Sequence, residues 1–403
     1  MLQYQVIGGR HMDYRELALK VHQELKGKVE MTSRAIIRTK EDLAILYSPG
    51  VAEPCLAIQQ DIKLSYTYTR RHNTIAVITD GSAVLGLGNI GPEAGMPVME
   101  GKAILFKLLG GVDAIPLCIN SQDPEKIIET VALLQGSFGG VNLEDISAPR
   151  CFMIEQELKK RCDIPIFHDD QHGTAIVVGA ALTNALKLVN KSIDRIKLVI
   201  NGAGAAGTSI AHFLMSLGVK HMVICDKNGI LTRGDQMLSP THQALAHLTN
   251  SYQEKGLLKD AMKDADVVIG VSVKHVITQD MVRSMKPNPI VFAMANPIPE
   301  IMPDEAYAAG AFIVGTGSSK FPNQINNLLA FPGIFRGTLD AHAKDITHDM
   351  MKAASLAIAS FIPDHELSRE YIIPNPLDPT VHQRVAEAVK RSAEESKVPK
   401  THD

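Results

Sequence analysis

Two hydrophobic periods alternate along this chain, and their alternation predicts the fold class. Residues 14–25 place apolar side chains every three to four positions, the period of an amphipathic helix. Residues 74–78 are instead a short unbroken apolar run ending at Thr79-Asp80-Gly81, as expected of a strand covered on both faces. Beyond a loop carrying Gly86, Gly88, Gly91 and Gly95, the pattern predicts helices over 97–109, 124–134 and 151–161, with strands over 112–119 and 140–143 between them. A short run at 165–167 closes this half, and a helix over 174–189 opens the next. Strands then recur at 196–200, 221–225, 267–269, 290–293 and 311–314, with a helix over 208–217 after the first. Helices over 324–341, 347–362 and 381–396 end the chain. Strands alternating with helices of this length imply parallel βαβ units, whose functional groups collect where strands end. The expected architecture is α/β, in two halves facing one another across a cleft.

Composition narrows the class without naming a chemistry. The 403 residues are 45% hydrophobic and 21% charged, and 41 basic against 44 acidic side chains leave a formal charge of −3. So balanced a chain advertises neither a nucleic-acid nor a membrane partner. Trp is absent and Gly numbers 30, which predicts an aliphatic core and many tight turns. The five cysteines, Cys55, Cys118, Cys151, Cys162 and Cys225, are scattered without CxxC spacing and read as reduced thiols of a cytoplasmic protein. The longest apolar run, 176–182, falls short of the roughly 20 residues of a membrane span. The first ten residues lack the long apolar segment of a signal peptide, and residues 1–12 read as a leader before a start at Met12.

The sharpest local signal is Gly202-x-Gly204-x-x-Gly207, set between a predicted strand and a predicted helix. Asp226 ends the next strand, 19 residues beyond Gly207. Glycines let a pyrophosphate approach the backbone, and the helix N-terminus, reached through Ala205 and Ala206, supplies N–H donors and a positive dipole end. This context predicts a Rossmann-type dinucleotide-binding domain over 174–403, with C-terminal helices, following an N-terminal α/β domain over 13–173 for substrate and metal. Asp226 would accept from the adenosine ribose 2′-hydroxyl and repel a 2′-phosphate, favouring NAD. Lys227 beside it could pair with that phosphate, so NADP stays open.

Two acidic pairs also end strands: Glu144-Asp145 after 140–143 and Asp169-Asp170 after 165–167. Adjacent carboxylates repel unless a cation or a shared proton compensates. Taken singly, each pair is more often a solvated turn or a helix start. Their common position at strand ends, beside Gly173-Thr174, points to a hard divalent cation, Mg²⁺ or Mn²⁺, among oxygen ligands. Lys102, in Met99-Glu100-Gly101-Lys102-Ala103, enters an otherwise apolar helix, where partial burial would move its pKa toward that of a general base. A lysine snorkelling from a helix end is the alternative. Tyr47 precedes the Ser48-Pro49-Gly50 turn and, by itself, reads as a turn tyrosine.

Taken together, Tyr47-Ser48-Pro49-Gly50-Val51-Ala52, Thr79-Asp80-Gly81 with Leu85-Gly86-Leu87-Gly88, Glu100-Gly101-Lys102-Ala103, Asn142-Leu143-Glu144-Asp145, the run from Phe167 to Ala175, and Phe331-Pro332-Gly333 resemble the motifs of malic enzymes of the short bacterial type. The resemblance runs from about Leu17 to the C-terminal helices. It implies oxidative decarboxylation of (S)-malate to pyruvate and CO₂ with reduction of NAD or NADP, in a homodimer or higher homo-oligomer. It implies Glu144, Asp145 and Asp170 as metal ligands, and Lys102 as the base for the C2 hydroxyl proton, supported by Asp169. Tyr47 would be the acid that protonates C3 of enolpyruvate. Asn296 and Asn327 would hold the substrate and the nicotinamide ribose.

Three positions depart from the family pattern. Ala83 stands where larger members carry an arginine that clamps a malate carboxylate. Gly88-Asn89 replaces Gly-Asp, and Gly317-Ser318-Ser319-Lys320 lacks an arginine at Ser318, for which Lys320 is a partial substitute. A neighbouring reading is a soluble oxaloacetate decarboxylase using the same site without net redox, its dinucleotide turn vestigial or regulatory. A malolactic enzyme retaining NAD fits the short type less well. Intact candidates for base, acid and metal ligands argue against a purely regulatory dinucleotide-binding protein.

Overall fold

The structure is a computed structural model that describes residues 14–84 and 86–401. The leader reading of residues 1–12, and Leu85 of the glycine loop, lie outside the described residues. Two compact units are present, Met1–Val51 and Ala52–Asp403.

The first unit contains the expected helix, Tyr14–Leu25, and a short helix, Lys40–Leu46, that the hydrophobic pattern does not announce. The short helix owes its start to a capping box. Asp42 N–H donates to Thr39 Oγ1, and the Asp42 carboxylate accepts from Thr39 N–H in return. Large apolar side chains of this unit, among them Leu19, Met31, Ile36 and Ile45, are exposed.

Two sheets organise the second unit. β1 (Thr74–Thr79), β2 (Asp113–Cys118), β3 (Gly140–Leu143) and β4 (Ile166–His168) form a parallel sheet in the order β2-β1-β3-β4. β5 (Lys197–Asn201), β6 (His221–Asp226), β7 (Gly229–Ile230), β8 (Val267–Gly270), β9 (Ile290–Ala293) and β10 (Ile313–Thr316) form the other, in the order β10-β9-β8-β5-β6-β7. It is parallel except for the β6–β7 hairpin. Because side chains alternate across a strand, Val199, Val223, Val268 and Val291 face one layer with Ala261, Met262 and Val282. Leu198, Ile200, Ile224, Ile269 and Phe292 face the other, beneath the helices Asp169–Val189, Ala205–Ser216 and His348–Ala359. This second core continues into the first sheet through Phe106, Phe167, Phe331 and Phe335, so both sheets share one apolar interior.

Helix Asp169–Val189 is long and apolar enough to cross a membrane, but 72% of its apolar window is buried inside the protein. Ser355 Oγ donates to Ile176 O at 3.0 Å and Asn184 Nδ2 to Ala359 O at 2.9 Å, tying it to helix His348–Ala359.

Element ends depart from the pattern where caps or strand pairing decide them. The helix expected over 174–189 starts at Asp169, placing the acid pair in its first turn. The helix expected over 208–217 starts at Ala205, directly after Gly204. The helix expected over 97–109 starts at Pro92 and contains Pro97. The continuous helix expected over 324–341 is not formed. Ile325 N–H donates to Thr316 O beside β10, Asn326 caps a 3-10 turn at Asn327–Leu329, and an α-helix begins only at Phe331.

Candidate active site

The C-terminal ends of β1, β3 and β4 lie side by side, and those of β3 and β4 deliver carboxylates to one place. β4 runs straight into helix Asp169–Val189, which buries the Asp169 carboxylate completely. Helix Pro92–Gly110 brings Lys102, whose relative exposure is 8%. Its Nζ is bonded to Asp169 Oδ2, lies 2.8 Å from Glu144 Oε1, and stands 4.0 Å from the centroid of the Phe331 ring. The ammonium is thus enclosed, and the snorkelling alternative does not hold. Asn327 Nδ2 donates to the same Asp169 Oδ2 at 2.6 Å. Asp169 Oδ1 is buried without a hydrogen-bond partner. Gly173, one turn on, has to be glycine for this carboxylate to fit, because a Cβ there would fall 1.8 Å from Asp169 Oδ1.

Glu144, Asp145 and Asp170 each offer a carboxylate oxygen within 4.8 Å of the others. Asn142 Nδ2 donates to Glu144 Oε2 at 2.8 Å, and Asp145 N–H to Asp170 Oδ2 at 2.7 Å, with Asp145 itself at φ 54°. Burial raises Glu144 and Asp170 above the ordinary carboxylate range, with Lys102 opposing it. Asp169 is pushed up to about 8, by burial first and by the Glu144 charge in addition. Burial would lower Lys102, but Asp169 and Glu144 outweigh it and hold its pKa above the usual lysine value. Four carboxylates gathered with one ammonium leave excess negative charge in a largely buried place. An all-oxygen donor set carrying that excess fits a hard divalent cation such as Mg²⁺ or Mn²⁺.

The glycine turn after β5 fits a dinucleotide in a different way. A Cβ at Gly202, whose φ is 123°, would lie 2.6 Å from Val271 O, and one at Gly207 would lie 1.8 Å from Gly202 O. These two glycines are required by the chain's own packing. At Gly204 a Cβ meets nothing within 4 Å, so the N-terminus of helix Ala205–Ser216 opens onto free space where a pyrophosphate could approach. Ala205 and Ala206 form its first turn. Asp226, at the end of β6, accepts from Asn228 N–H at 2.7 Å, while Lys227 is exposed.

The remaining candidates are less concentrated. Asn296 is exposed on the loop after β9, close to two glycines: a Cβ on Gly317 would meet its Nδ2 at 2.8 Å, and one on Gly86 its carbonyl at 2.9 Å. Tyr47 belongs to the Met1–Val51 unit, where it ends helix Lys40–Leu46 with 66% of its surface exposed. Ala83 N–H donates to Asp145 O at 2.9 Å, and the loop it sits in receives the Arg150 guanidinium, 3.1 Å from Asp80 Oδ2. Lys320 is exposed, its N–H donating to Ser318 Oγ.

Sequence reasoning set Phe331 and Asn142 within family motifs without giving either a role, and did not single out Glu300. Asn142 was findable, since it shares a strand face with Glu144 two positions on. Glu300 is fully buried and accepts from Ser272 N–H at 2.8 Å and Ala295 N–H at 3.0 Å, joining the loops after β8 and β9. No local pattern reveals such a contact between two strand ends.

Known proteins are similar to this chain along nearly its whole length. Residues 26–126 match the family model for the malic enzyme N-terminal domain, and residues 171–394 that for the malic enzyme NAD-binding domain. The chain is 55% identical over 388 residues to the bifunctional malic/malolactic enzyme of Bacillus subtilis, covering 96% of this chain and 95% of that one. It is 46% identical to the NADP-dependent malic enzyme of Haemophilus influenzae, covering 95% of this chain and 53% of that one. The crystal structure of the NAD-dependent malic enzyme of Thermotoga maritima superposes with a TM-score of 0.90 at 48% identity, covering 94% of this chain and 99% of that one.

Proposed function

The chain belongs to the malic enzyme family, and on that premise we propose that it oxidises (S)-malate to pyruvate and CO₂ while reducing NAD⁺. The observation that carries the reading is Lys102 enclosed between Asp169 and Glu144, beside the Glu144, Asp145 and Asp170 carboxylates. A divalent cation held by those three residues would supply charge stabilisation at the substrate oxygens, and a dinucleotide on the glycine turn would supply the hydride acceptor.

The chain's own groups do the rest. Lys102 takes the C2 hydroxyl proton, and it gains the required basicity once the surrounding carboxylate field is neutralised. Asp169, fixed by Asn327, aims the amine. Asn296 and Asn327 orient the substrate and the nicotinamide ribose. After CO₂ leaves, Tyr47 gives its phenolic proton to C3, yielding pyruvate.

Asp226 supports NAD as the preferred dinucleotide, because a carboxylate accepts from a ribose hydroxyl and repels a 2′-phosphate. The exposed apolar side chains of the Met1–Val51 unit support a homodimer or higher homo-oligomer. Five free cysteines among the described residues suit a cytoplasmic setting.

The test is direct. Purified protein given malate, Mn²⁺ and NAD⁺ should generate the absorbance of reduced cofactor and pyruvate in equal amounts. Silence with both NAD⁺ and NADP⁺, alongside CO₂ release from oxaloacetate, would reject the reading. A second product is worth measuring in the same assay: the name of the Bacillus subtilis relative favours lactate formation with NADH retained.

A further inference from the structure

Helix Pro240–Leu248 carries a side chain to the dinucleotide turn that the glycine motif does not include. His242 Nε2 lies 3.1 Å from the carbonyl oxygen of Ala203, the residue between Gly202 and Gly204. A carbonyl only accepts, so Nε2 carries a proton, and in the tautomer with that single proton the lone pair lies on Nδ1. That nitrogen stands 3.9 Å from Asp226 Oδ2. The other carboxylate oxygen, Oδ1, is occupied by Asn228 N–H. In that tautomer two acceptors lie near each other at the end of β6, partly accessible, with 27% of the His242 side chain and 15% of that of Asp226 exposed.

Acceptors set side by side beyond hydrogen-bonding distance of each other suit a pair of donors rather than one. A vicinal diol presents two hydroxyl donors on neighbouring carbons. A phosphate monoester at neutral pH presents acceptors only, and would meet both lone pairs with its own.

We propose that His242 is a specificity-determining residue of the dinucleotide site: its Nδ1 and Asp226 Oδ2 together accept from the adenosine ribose diol, so that rejection of a 2′-phosphate rests on two acceptors. The proposal rests on the reading that Asp226 meets that ribose. Its second element is positional. The Nε2 bond to Ala203 fixes the ring against the turn that receives the pyrophosphate, so the distance between phosphate and ribose contacts is set by the protein before the dinucleotide arrives.

Three variants separate the possibilities. His242→Ala removes both ring contacts, whereas His242→Lys can keep a donor to Ala203 O and carries no acceptor. Asp226→Ser tests the parent reading. With malate and Mn²⁺ saturating, His242→Ala and His242→Lys should each raise KM for NAD⁺ roughly five- to tenfold, more than either lowers kcat, and both should narrow the preference for NAD⁺ over NADP⁺. NAD⁺ analogues lacking one hydroxyl of the adenosine ribose should lose less affinity in the His242 variants than in the unaltered protein, because the acceptor is already gone. Restoration of the normal KM by His242→Lys would overturn the proposal, leaving the ring as a brace for the turn. An equal penalty for the deoxy analogues with and without His242 would overturn it too. If Asp226→Ser leaves the dinucleotide preference unchanged, the parent reading fails; if Asp226→Ser relaxes it while both His242 variants are silent, only the role of His242 fails.

Discussion

Asn327 Nδ2 lies 2.6 Å from Asp169 Oδ2, the carboxylate oxygen that also holds the Lys102 ammonium. The pair is 158 residues apart in sequence. One partner comes from the 3-10 turn before helix Phe331–Asp340, the other from the first turn of helix Asp169–Val189. Asp169 is thereby braced from two directions, and the position of Lys102 depends on both.

Loss of the brace should be milder than loss of the base. Lys102→Ala is expected to lower kcat by about 10² to 10⁴, the usual contribution of a positioned acid or base. Asn327→Ala should reduce it by roughly tenfold through misplacement of Asp169. Steady-state kinetics with malate and NAD⁺ checks both, and a Lys102→Ala enzyme keeping more than about a tenth of normal turnover would remove Lys102 from the chemistry.

Asp170 contributes an oxygen to the acidic trio and accepts from Asp145 N–H. Asp170→Asn should raise the Mn²⁺ concentration giving half-maximal activity by on the order of tenfold or more. Since a cation binding only the folded state stabilises it, Mn²⁺ should raise Tm of the unaltered protein and raise that of the variant less. Equal Tm shifts in the two proteins would place the cation elsewhere.

The glycine turn should separate folding from binding. A Cβ at Gly207 would sit 1.8 Å from a backbone oxygen, whereas one at Gly204 meets nothing within 4 Å. Gly207→Ala should therefore lower Tm sharply. Gly204→Ala should fold with a Tm close to normal and bind NADH poorly, its methyl group occupying the space left for the pyrophosphate. Cofactor fluorescence titration and thermal melts on the two proteins decide the matter.

Glu155 predicts a pH limb. Burial would raise its pKa, but His172 Nε2 at 2.8 Å and Lys159 at 3.5 Å outweigh burial and hold it down at about 2. The folded state thus binds this proton less readily than the unfolded chain does. The stabilisation is fully present above the unfolded carboxyl pKa of about 4.3 and is lost as pH falls through about 2. A depression of this size corresponds to about 3 kcal/mol. Glu155→Gln should lose stability of that order at neutral pH and show a flatter acid limb, measured by urea unfolding at a series of pH values.

Much of this was readable from the chain. The unbroken run over 74–78 reads as a covered strand, and the strand observed there, Thr74–Thr79, is buried at every position. The GxGxxG turn with Asp226 beyond it, and the acid pairs at the ends of β3 and β4, follow from local composition at strand ends. Where sequence reasoning failed, the missing information was a distant partner. The segment 324–341 has helical spacing, yet Ile325 pairs with Thr316 instead, and that bond exists only once β10 is in place. Helix Lys40–Leu46 escaped notice because its start is set by the Thr39–Asp42 capping box, and it buries none of its residues.

The sequence by itself determined the two periods, hence an α/β fold with a dinucleotide turn, and a stock of carboxylates, lysine and tyrosine suited to one family's chemistry. These are properties of residues within a few positions of each other, where backbone geometry alone fixes neighbours. Tertiary structure alone decided that Lys102 is enclosed rather than exposed, that Phe331 reaches it and Asn327 reaches Asp169, and that His242 stands beside Asp226. Those facts depend on how helices pack against sheets through a shared core, and packing joins residues whose separation along the chain carries no signal.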